Sequence, residues 1–431
     1  MLLRGFLTGW FETFAALRYR EFRLFWAGLV GQVTGQQITI VTLGWLAFDL
    51  TRSPLQLGVI NLLTAAPRLV VGLLGGVLAD RLNPRYLIII AQTTSAFVLV
   101  TIATLTVTGY VAVWHLAAGA FLLGLVQSFD EPSRASLFPR LLPERSLIPV
   151  AVPLISVAWS STRIVAPSVA GFIIAVFGAG MSFYLAAAGA GVMVMMMRLV
   201  RVSGPPARSR ATVFADLKRG AGYVWGHPVF RPLVVLAFVS SAFGQGYVLT
   251  LPVFQDVLGV DSRGLGLMYS VLGVGSIIGL ALYSRTVRHM PAGKVALAST
   301  ATFAAGLMAF AASPWFAASL GLLLCVGVVG VIQVTSAQVI LQTMVADELR
   351  GRVMALHGLH WGLLPVGGAI MNGAAEAIGG PWAVAGAASV VMLATAGIAL
   401  RSGALRRLAD AAALPADGED RPAERSGPGV R

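Results

Sequence analysis

Gly76-Val-Leu-Ala-Asp80-Arg81-Leu-Asn83-Pro84-Arg85 is a short charged turn between two long apolar runs, residues 55–79 and 86–108. Each run reaches the roughly 20 apolar residues that a helix needs to cross a hydrocarbon core. Further runs of this kind lie at 23–48, 111–133, 149–177, 181–201, 232–258, 264–285, 293–312, 316–344, 353–378 and 382–401. The pattern predicts an all-α polytopic membrane protein with twelve transmembrane helices.

Composition points the same way. Of 431 residues 57% are hydrophobic and only 11% charged, with a mean hydropathy of +0.81. Soluble domains carry roughly 25% charged residues, so this chain has too little polar surface for water and lipid must be its solvent. A net charge of +13 suggests nucleic acid in a soluble protein. Here the basic residues sit in short gaps between apolar runs, where they set topology, so no nucleic-acid partner is expected. The one cysteine, Cys325, lies within an apolar run and excludes an internal disulfide. Residues 1–20 carry no apolar core ending in a small-residue cleavage site, so no cleaved signal peptide is expected. The only lysines, Lys218 and Lys294, lack the glycine pattern of a phosphate-binding loop. Neither a G-x-S-x-G elbow nor an H-E-x-x-H pair occurs. The chain therefore reads as neither an enzyme nor an ATP-driven pump, and no cofactor or metal is expected.

The charges also orient the chain. Arg81 and Arg85, then Arg134, Arg140 and Arg145, then the stretch from Arg198 to Arg219 fall in alternate connections. Arg285, Arg288 and Lys294, and Arg350 and Arg352, continue that set, while the intervening connections hold little beyond Arg52 and Arg263. Arg4, Arg18 and Arg20 at one end and Arg401, Arg406 and Arg407 at the other match the basic set. Both termini are thereby expected in the cytoplasm, with the protein multi-pass in the plasma (inner) membrane among its lipids.

The chain reads as two pseudo-symmetric six-helix halves. Phe22-Arg23 and Phe230-Arg231, Gly75–Arg81 and Gly279–Arg285, and Pro143-Glu144 and Ala346-Asp347 occupy matching places about 205 residues apart. Expected boundaries are a cytoplasmic segment at 1–22, a first bundle at 23–201, a linker at 202–231, a second bundle at 232–402 and a disordered tail at 403–431. In the linker Phe214, Leu217, Ala221 and Val224 recur at helical spacing opposite Asp216, Lys218 and Arg219. That is either an amphipathic helix on the membrane face or a solvated linker helix. Parallel six-helix repeats are a transporter design, with the substrate bound at midplane between them.

The turn Gly76–Arg85 resembles the signature between helices two and three of the major facilitator superfamily. Asn83 replaces the usual glycine, and Asn tolerates positive φ better than most residues. Residues 20–26, 45–50 and Thr51-Arg-Ser-Pro-Leu-Gln-Leu-Gly58 look like the first two helices of the branch of the enterobactin exporter and macrolide-efflux-like proteins. Asp130-Glu-Pro-Ser-Arg134 and Asp347-Glu-Leu-Arg-Gly-Arg-Val353 resemble that branch's helix-four end and helix ten–eleven loop. The resemblance covers about residues 16–402 and implies export. Two motifs depart. The Gly-Pro-x-x-Gly-Gly signature of efflux members reads Ala166-Pro167-Ser-Val-Ala170-Gly171, and the helix-four arginine is absent at Ala120-Phe121-Leu-Leu-Gly124. The second departure removes the proton relay associated with that arginine.

Candidate sites follow. Asp80 can cap the start of helix eleven, since a carboxylate complements a positive helix end. Asp130 or Glu131 can pair with Arg81 or Arg85, and these five form a candidate gate; topology setting is the plainer role. Gln32, Thr34, Gln36, Gln37, Thr39 and Thr42 make helix one polar, either lining a cavity or bridging helices. His357 and His360, one turn apart, are cavity candidates able to hold a proton, though packing serves equally. Glu376 and Asp130 are candidates for coupling to protons. Gly75, Gly76, Pro167 and Gly171 suit close helix packing. Arg68 and Arg163 fall near mid-span, where a permanent charge costs roughly 2.5–3.5 kcal/mol, so each is expected to face a cavity or a buried partner. Mid-membrane carboxylates to pair with them are scarce. An arginine at the position of Arg163 recurs in the branch, which leaves open a structural role bonding carbonyls freed by Pro167.

The reading is a monomeric secondary transporter using alternating access, coupled to protons and exporting a small amphipathic molecule, drug-like or siderophore. An importer or lipid translocator of the same fold, or a non-transporting sensor or assembly protein, is the alternative.

Overall fold

The computed structural model describes residues 15–81, 83–201 and 213–406, and from 72 to 81 the backbone alone. Every element in it is helical. In chain order these are α1 (Arg20–Thr51), α2 (Pro54–Arg81), α3 (Pro84–Val107), α4 (Val113–Leu137), α5 (Ile148–Phe177) and α6 (Ala179–Leu199). After them come α7 (Val213–Gly226), α8 (Phe230–Val239), α9 (Phe254–Leu258), α10 (Ser262–His289), α11 (Ala292–Ala312), α12 (Phe316–Met344), α13 (Asp347–Gly358), α14 (His360–Ile378) and α15 (Gly380–Arg401). Among the described residues ten helical segments are long and apolar enough to cross a membrane. α1 and α2 fall outside that set although they are 32 and 28 residues long. In α1 the glutamines dilute the apolar run, and α2 is described with side chains over only part of its length.

Local sequence explains where the helices stop. α5 ends at Gly178 (φ 85°) and α14 at Gly379 (φ 86°), left-handed positions that only glycine takes without strain. α1 ends on Arg52, the only non-glycine residue with positive φ (48°) among the described residues, whose N–H donates to the Phe48 carbonyl. Asn83 does not use positive φ. Its backbone is extended (φ −71°) and its side-chain oxygen accepts from the Arg85 N–H, so asparagine stands at the glycine position as an N-cap for α3.

The seventh span differs from expectation. Instead of one helix over 232–258, α8 runs into a π-helical turn at Ser240–Gly244, then 3-10 turns at Gln245–Leu249 and Leu251–Val253, and finally α9. The eleventh is likewise broken, between α13 and α14 at Leu359. The linker helix α7 does form, and it docks on protein: Gly220 packs on the backbone of Arg352 in α13, and Val224 is fully buried. Phe214 and Leu217 lie outside the described side chains, as do Asp80, Arg81, Gly75 and Gly76.

Buried apolar residues sort into three clusters. One gathers Phe22, Phe25, Leu29, Ile88, Leu154 and Met193 from the first six helices. A second gathers Phe230, Leu233, Leu297, Leu341 and Val353 from the helices after residue 229. Both lie toward the face where α1 begins and α15 ends, called here the terminal face. The third, at the opposite (distal) end, mixes the two groups: Ile38, Leu57 and Phe183 pack in one cluster with Leu251, Phe254 and Phe310. The two helix groups thus share a core at the distal end and keep separate cores at the terminal end.

Candidate functional site

The distal seam is built from small residues. α5 lies on α10 where Gly171 meets Ser262 and Gly266, and Gly266 meets the Pro167 carbonyl. Backbones approach this closely only without Cβ atoms, the usual device of helix contacts in lipid. The Ser262 hydroxyl donates to the Gly171 carbonyl (3.1 Å), Ser270 donates to the Ile164 carbonyl (2.5 Å), and the Ser168 and Ser270 hydroxyls are 2.8 Å apart. α2 lies on α14 in the same way, with Gly58 against Ala369 and Asn372. The altered motif Ala166–Gly171 is therefore the contact line between the two helix groups.

Polar ties reinforce the seam beside the α1–α2 turn. Arg52 holds Asp49 (2.7 Å) and Asp256 (2.9 Å). Glu376 accepts from the Ser53 hydroxyl (2.8 Å) and from the Leu55 N–H (3.0 Å), capping the first turn of α2 from the other helix group. Every hydrogen bond or ion pair described between the two groups lies at the seam or, as with Asn61 donating to the Leu249 carbonyl (3.4 Å), just inside it.

Asn61 also fixes a direction. Its side chain points from α2 to the second group, and Arg68, seven residues on, lies within about 20° of the same helix face. Arg68 thus points between the groups, one helical stretch from the seam toward the terminal face. It is not alone: Glu131 of α4 lies 2.9 Å away and supplies a carboxylate partner. With the side chains 43% and 63% exposed, the pair is worth about 1 kcal/mol or less, so its effect is to cancel charge. Arg163 is different. Its guanidinium forms no hydrogen bond or ion pair among the described residues, and the residue is exposed. Among the described residues no carboxylate compensates its charge.

Asp130 and Arg85, also expected at the gate, have other partners. Asp130, 1% exposed, accepts from Gln32 Nε2 (2.6 Å) and pairs with Arg134 (2.8 Å), whose guanidinium lies over the Trp159 ring. Gln32 is therefore buried between α1 and α4 instead of lining a cavity. One oxygen of each, Gln32 Oε1 and Asp130 Oδ1, is left without a partner. Thr34, Thr39 and Thr42 turn back to carbonyls of their own helix, Thr42 also meeting the Ser182 hydroxyl of α6 (2.7 Å), while Gln36 and Gln37 stay half-buried with no side-chain hydrogen bond among the described residues. Arg85 pairs with neither Asp130 nor Glu131. It donates to the carbonyls of Met197 (2.8 Å) and Arg198 (2.9 Å), closing the C-terminus of α6. His357 and His360 are buried within the second helix group, with ring centroids 4.6 Å apart. Among the described residues no cluster of three His, Cys, Asp or Glu is placed to hold a metal.

Sequence reading missed Arg52 with Asp256, Asn61, and the serines of the seam. In the sequence Arg52 reads only as a stray charge between two spans; its place before Ser53-Pro54, at a helix end with no glycine, is the available signal. Nothing in the sequence marks Ser168 and Ser270, which lie 102 residues apart.

Known proteins resemble the whole arrangement. The profile of a family described as transmembrane secretion effector matches residues 11–423. The multidrug efflux pump Tap of Mycolicibacterium fortuitum is 26% identical over 360 residues, covering 80% of this chain and 87% of Tap. The enterobactin exporter EntS of Escherichia coli O1:K1 is 23% identical over 330 residues, covering 74% of this chain and 78% of EntS. Among solved structures, a bacterial homologue of the human lysosomal transporter Spinster, in an inward-facing and unoccupied conformation, superposes with a TM-score of 0.69 at 15% identity. It covers 91% of this chain and 98% of that one.

Proposed function

Because the chain belongs to the transmembrane secretion effector family of the major facilitator superfamily, and so is a multi-pass membrane transport protein and not an enzyme, we propose that it is a secondary active exporter working by alternating access. Its cargo is a small amphipathic molecule, drug-like or siderophore, a class supported by what Tap and EntS are named for. In this reading α1 and α2 also cross the membrane, giving twelve spans in two pseudo-symmetric halves, 23–201 and 232–402. The equivalent glycine turns at 178 and 379 support that symmetry. The charge pattern supports cytoplasmic termini in the inner membrane of a monomer, with the linker at 202–231 and the tail from 403 on the same side.

One observation carries the mechanism: the two helix groups share a single core at the distal end and have separate cores at the terminal end. A molecule packed like that is in one of two end states, with the periplasmic side sealed. Export requires the seam at Gly171–Gly266 to part and the terminal ends to meet. Arg163 and the neutralised Arg68–Glu131 pair face the space between the halves, and Asp80 with Arg81 forms the cytoplasmic gate. Protons drive the cycle, with Asp130, Glu131 and Glu376 as the carboxylates that carry them.

Purified protein in vesicles with an imposed pH gradient, screened over lipophilic drugs and iron chelators, tests this. At least one compound should move against its concentration gradient only while the pH gradient lasts. Identical movement with and without the gradient across the whole panel refutes proton-coupled export.

A further inference from the structure

The second helix group contains a narrow pocket, open at one end, between α8 with its π turn, α11, α12 and the α13–α14 break. Most of the wall is apolar, with Leu233, Leu236, Ala296 and Ala337 among its residues. Three of the residues that line the pocket carry a buried polar atom without a hydrogen-bond partner among the described residues: Ser240 Oγ, Gln333 Oε1 and His357 Nδ1. Their residues are 2%, 6% and 4% exposed. Buried polar atoms left bare are destabilising, so three on the lining of one pocket are hard to explain as packing.

The backbone around the cavity is shaped for it. The π turn sets Ser240 on the wall while Ser241 donates to the His360 carbonyl (2.5 Å), tying the two broken helices together. His360 Nδ1 donates to the His357 carbonyl at the break (2.5 Å), which fixes its ring. Trp361 stands at the edge, 49% exposed, with its ring centroid 4.8 Å from that of His360. Trp361 and Asn372 are eleven residues apart on α14, about 20° from the same face. Asn372 meets Gly58 of the first helix group, so Trp361 points into the space between the groups. The cavity is thus a side chamber of that space. No Asp, Glu, Lys or Arg lines it.

We propose that this chamber is a substrate subsite for an uncharged aromatic or compact apolar moiety carrying an O–H or N–H donor. The site rests on the transporter reading and names which part of the cargo binds in the second half. The apolar walls and the Trp361 ring take the ring of the ligand. Gln333 Oε1, which can only accept, selects the donor, and Ser240 and His357 are beside it. The absence of lining charges excludes an ion at this end, leaving any anionic group for Arg163.

Phenol and anisole test the assignment, since they share one ring and differ in the donor. Saturation-transfer NMR is recorded on full-length protein in lipid nanodiscs, with empty nanodiscs as control. Phenol should bind saturably and at least fivefold tighter than anisole. Gln333→Leu and Ser240→Ala should weaken phenol five- to tenfold and leave anisole within twofold, and Ala337→Phe should abolish both. Equal weakening of the two ligands by Gln333→Leu overturns the donor assignment. So does a phenol signal no larger than in empty nanodiscs, which marks a water-filled void. The vesicle assay runs separately: gradient-driven export with no phenol binding removes the subsite alone, and phenol binding without any export removes the transport reading.

Discussion

Replacing Gly171 by alanine adds one carbon at the tightest point of the distal seam. A Cβ there overlaps the Ser262 carbonyl oxygen and comes within 3.1 Å of Gly266 Cα. All of these neighbours are backbone, so no side chain can swing away and α5 must move off α10. The shift stretches the Ser262–Gly171 hydrogen bond, already 3.1 Å long. Overpacking of this kind costs about 1–3 kcal/mol. Alanine also favours a helix over glycine by about 1 kcal/mol, but α5 is helical in both end states, so that gain cancels. What remains acts only on the sealed state, and a 1–3 kcal/mol bias moves a two-state equilibrium about 5- to 150-fold. Distances by pulsed electron spin resonance between labels at Tyr110 and Trp382, both exposed on the distal face in the two helix groups, read the outcome with Cys325 replaced by serine. The long-distance population should rise by at least fivefold over the parent. Gly191→Ala, where a Cβ meets nothing within 4 Å, is the control and should change nothing. An unaltered distance distribution in Gly171→Ala would mean that the seam is not the part that opens, and would refute the argument.

Arg52→Gln and Glu376→Gln remove exposed distal ties, so each should raise the same long-distance population less than fivefold, well short of Gly171→Ala; a larger effect reverses that ranking. Arg134→Met leaves Asp130 buried and unpaired and should cost about 3 kcal/mol, read as a fall in melting temperature in detergent. Adding Asp130→Asn should recover part of the loss, and no recovery means that the pair is not what holds α4. Arg163→Gln should weaken transport of an anionic cargo at least fivefold more than that of a cationic dye. Arg68→Gln frees the Glu131 carboxylate and should slow the anion without harming the cation; equal losses for both cargoes in both variants mark the arginines as structural.

The helices were legible because lipid imposes one rule on every span. The runs 149–177 and 316–344 match α5 and α12 to within a residue. The breaks were not legible. Gly244 and Gly246 lie in the first broken stretch and Gly358 just before the second, but glycines are frequent in these spans and do not announce a π turn, which is held by tertiary contacts with α14 such as Ser241 to the His360 carbonyl. The ion pairs failed for the same reason. The sequence offers Asp130 or Glu131 as the partner of Arg81 or Arg85, whereas in the structure Glu131 meets Arg68, 63 residues away in sequence. Helical periodicity tells which residues share a face, not which face of another helix lies opposite. Arg163 stands out in the sequence because a permanent charge at mid-span is costly whatever its partner.

The layout of the three cores has a consequence for how the polypeptide is made. Each terminal cluster is assembled entirely from one side of the 202–212 connection, and the shared distal cluster needs only that both sides be present. No core contact among the described residues requires the backbone to be continuous between 201 and 213. Two separately translated pieces, divided there, contain all the surfaces that hold the molecule together, so a gene cut in two at that point should still complement itself in one membrane.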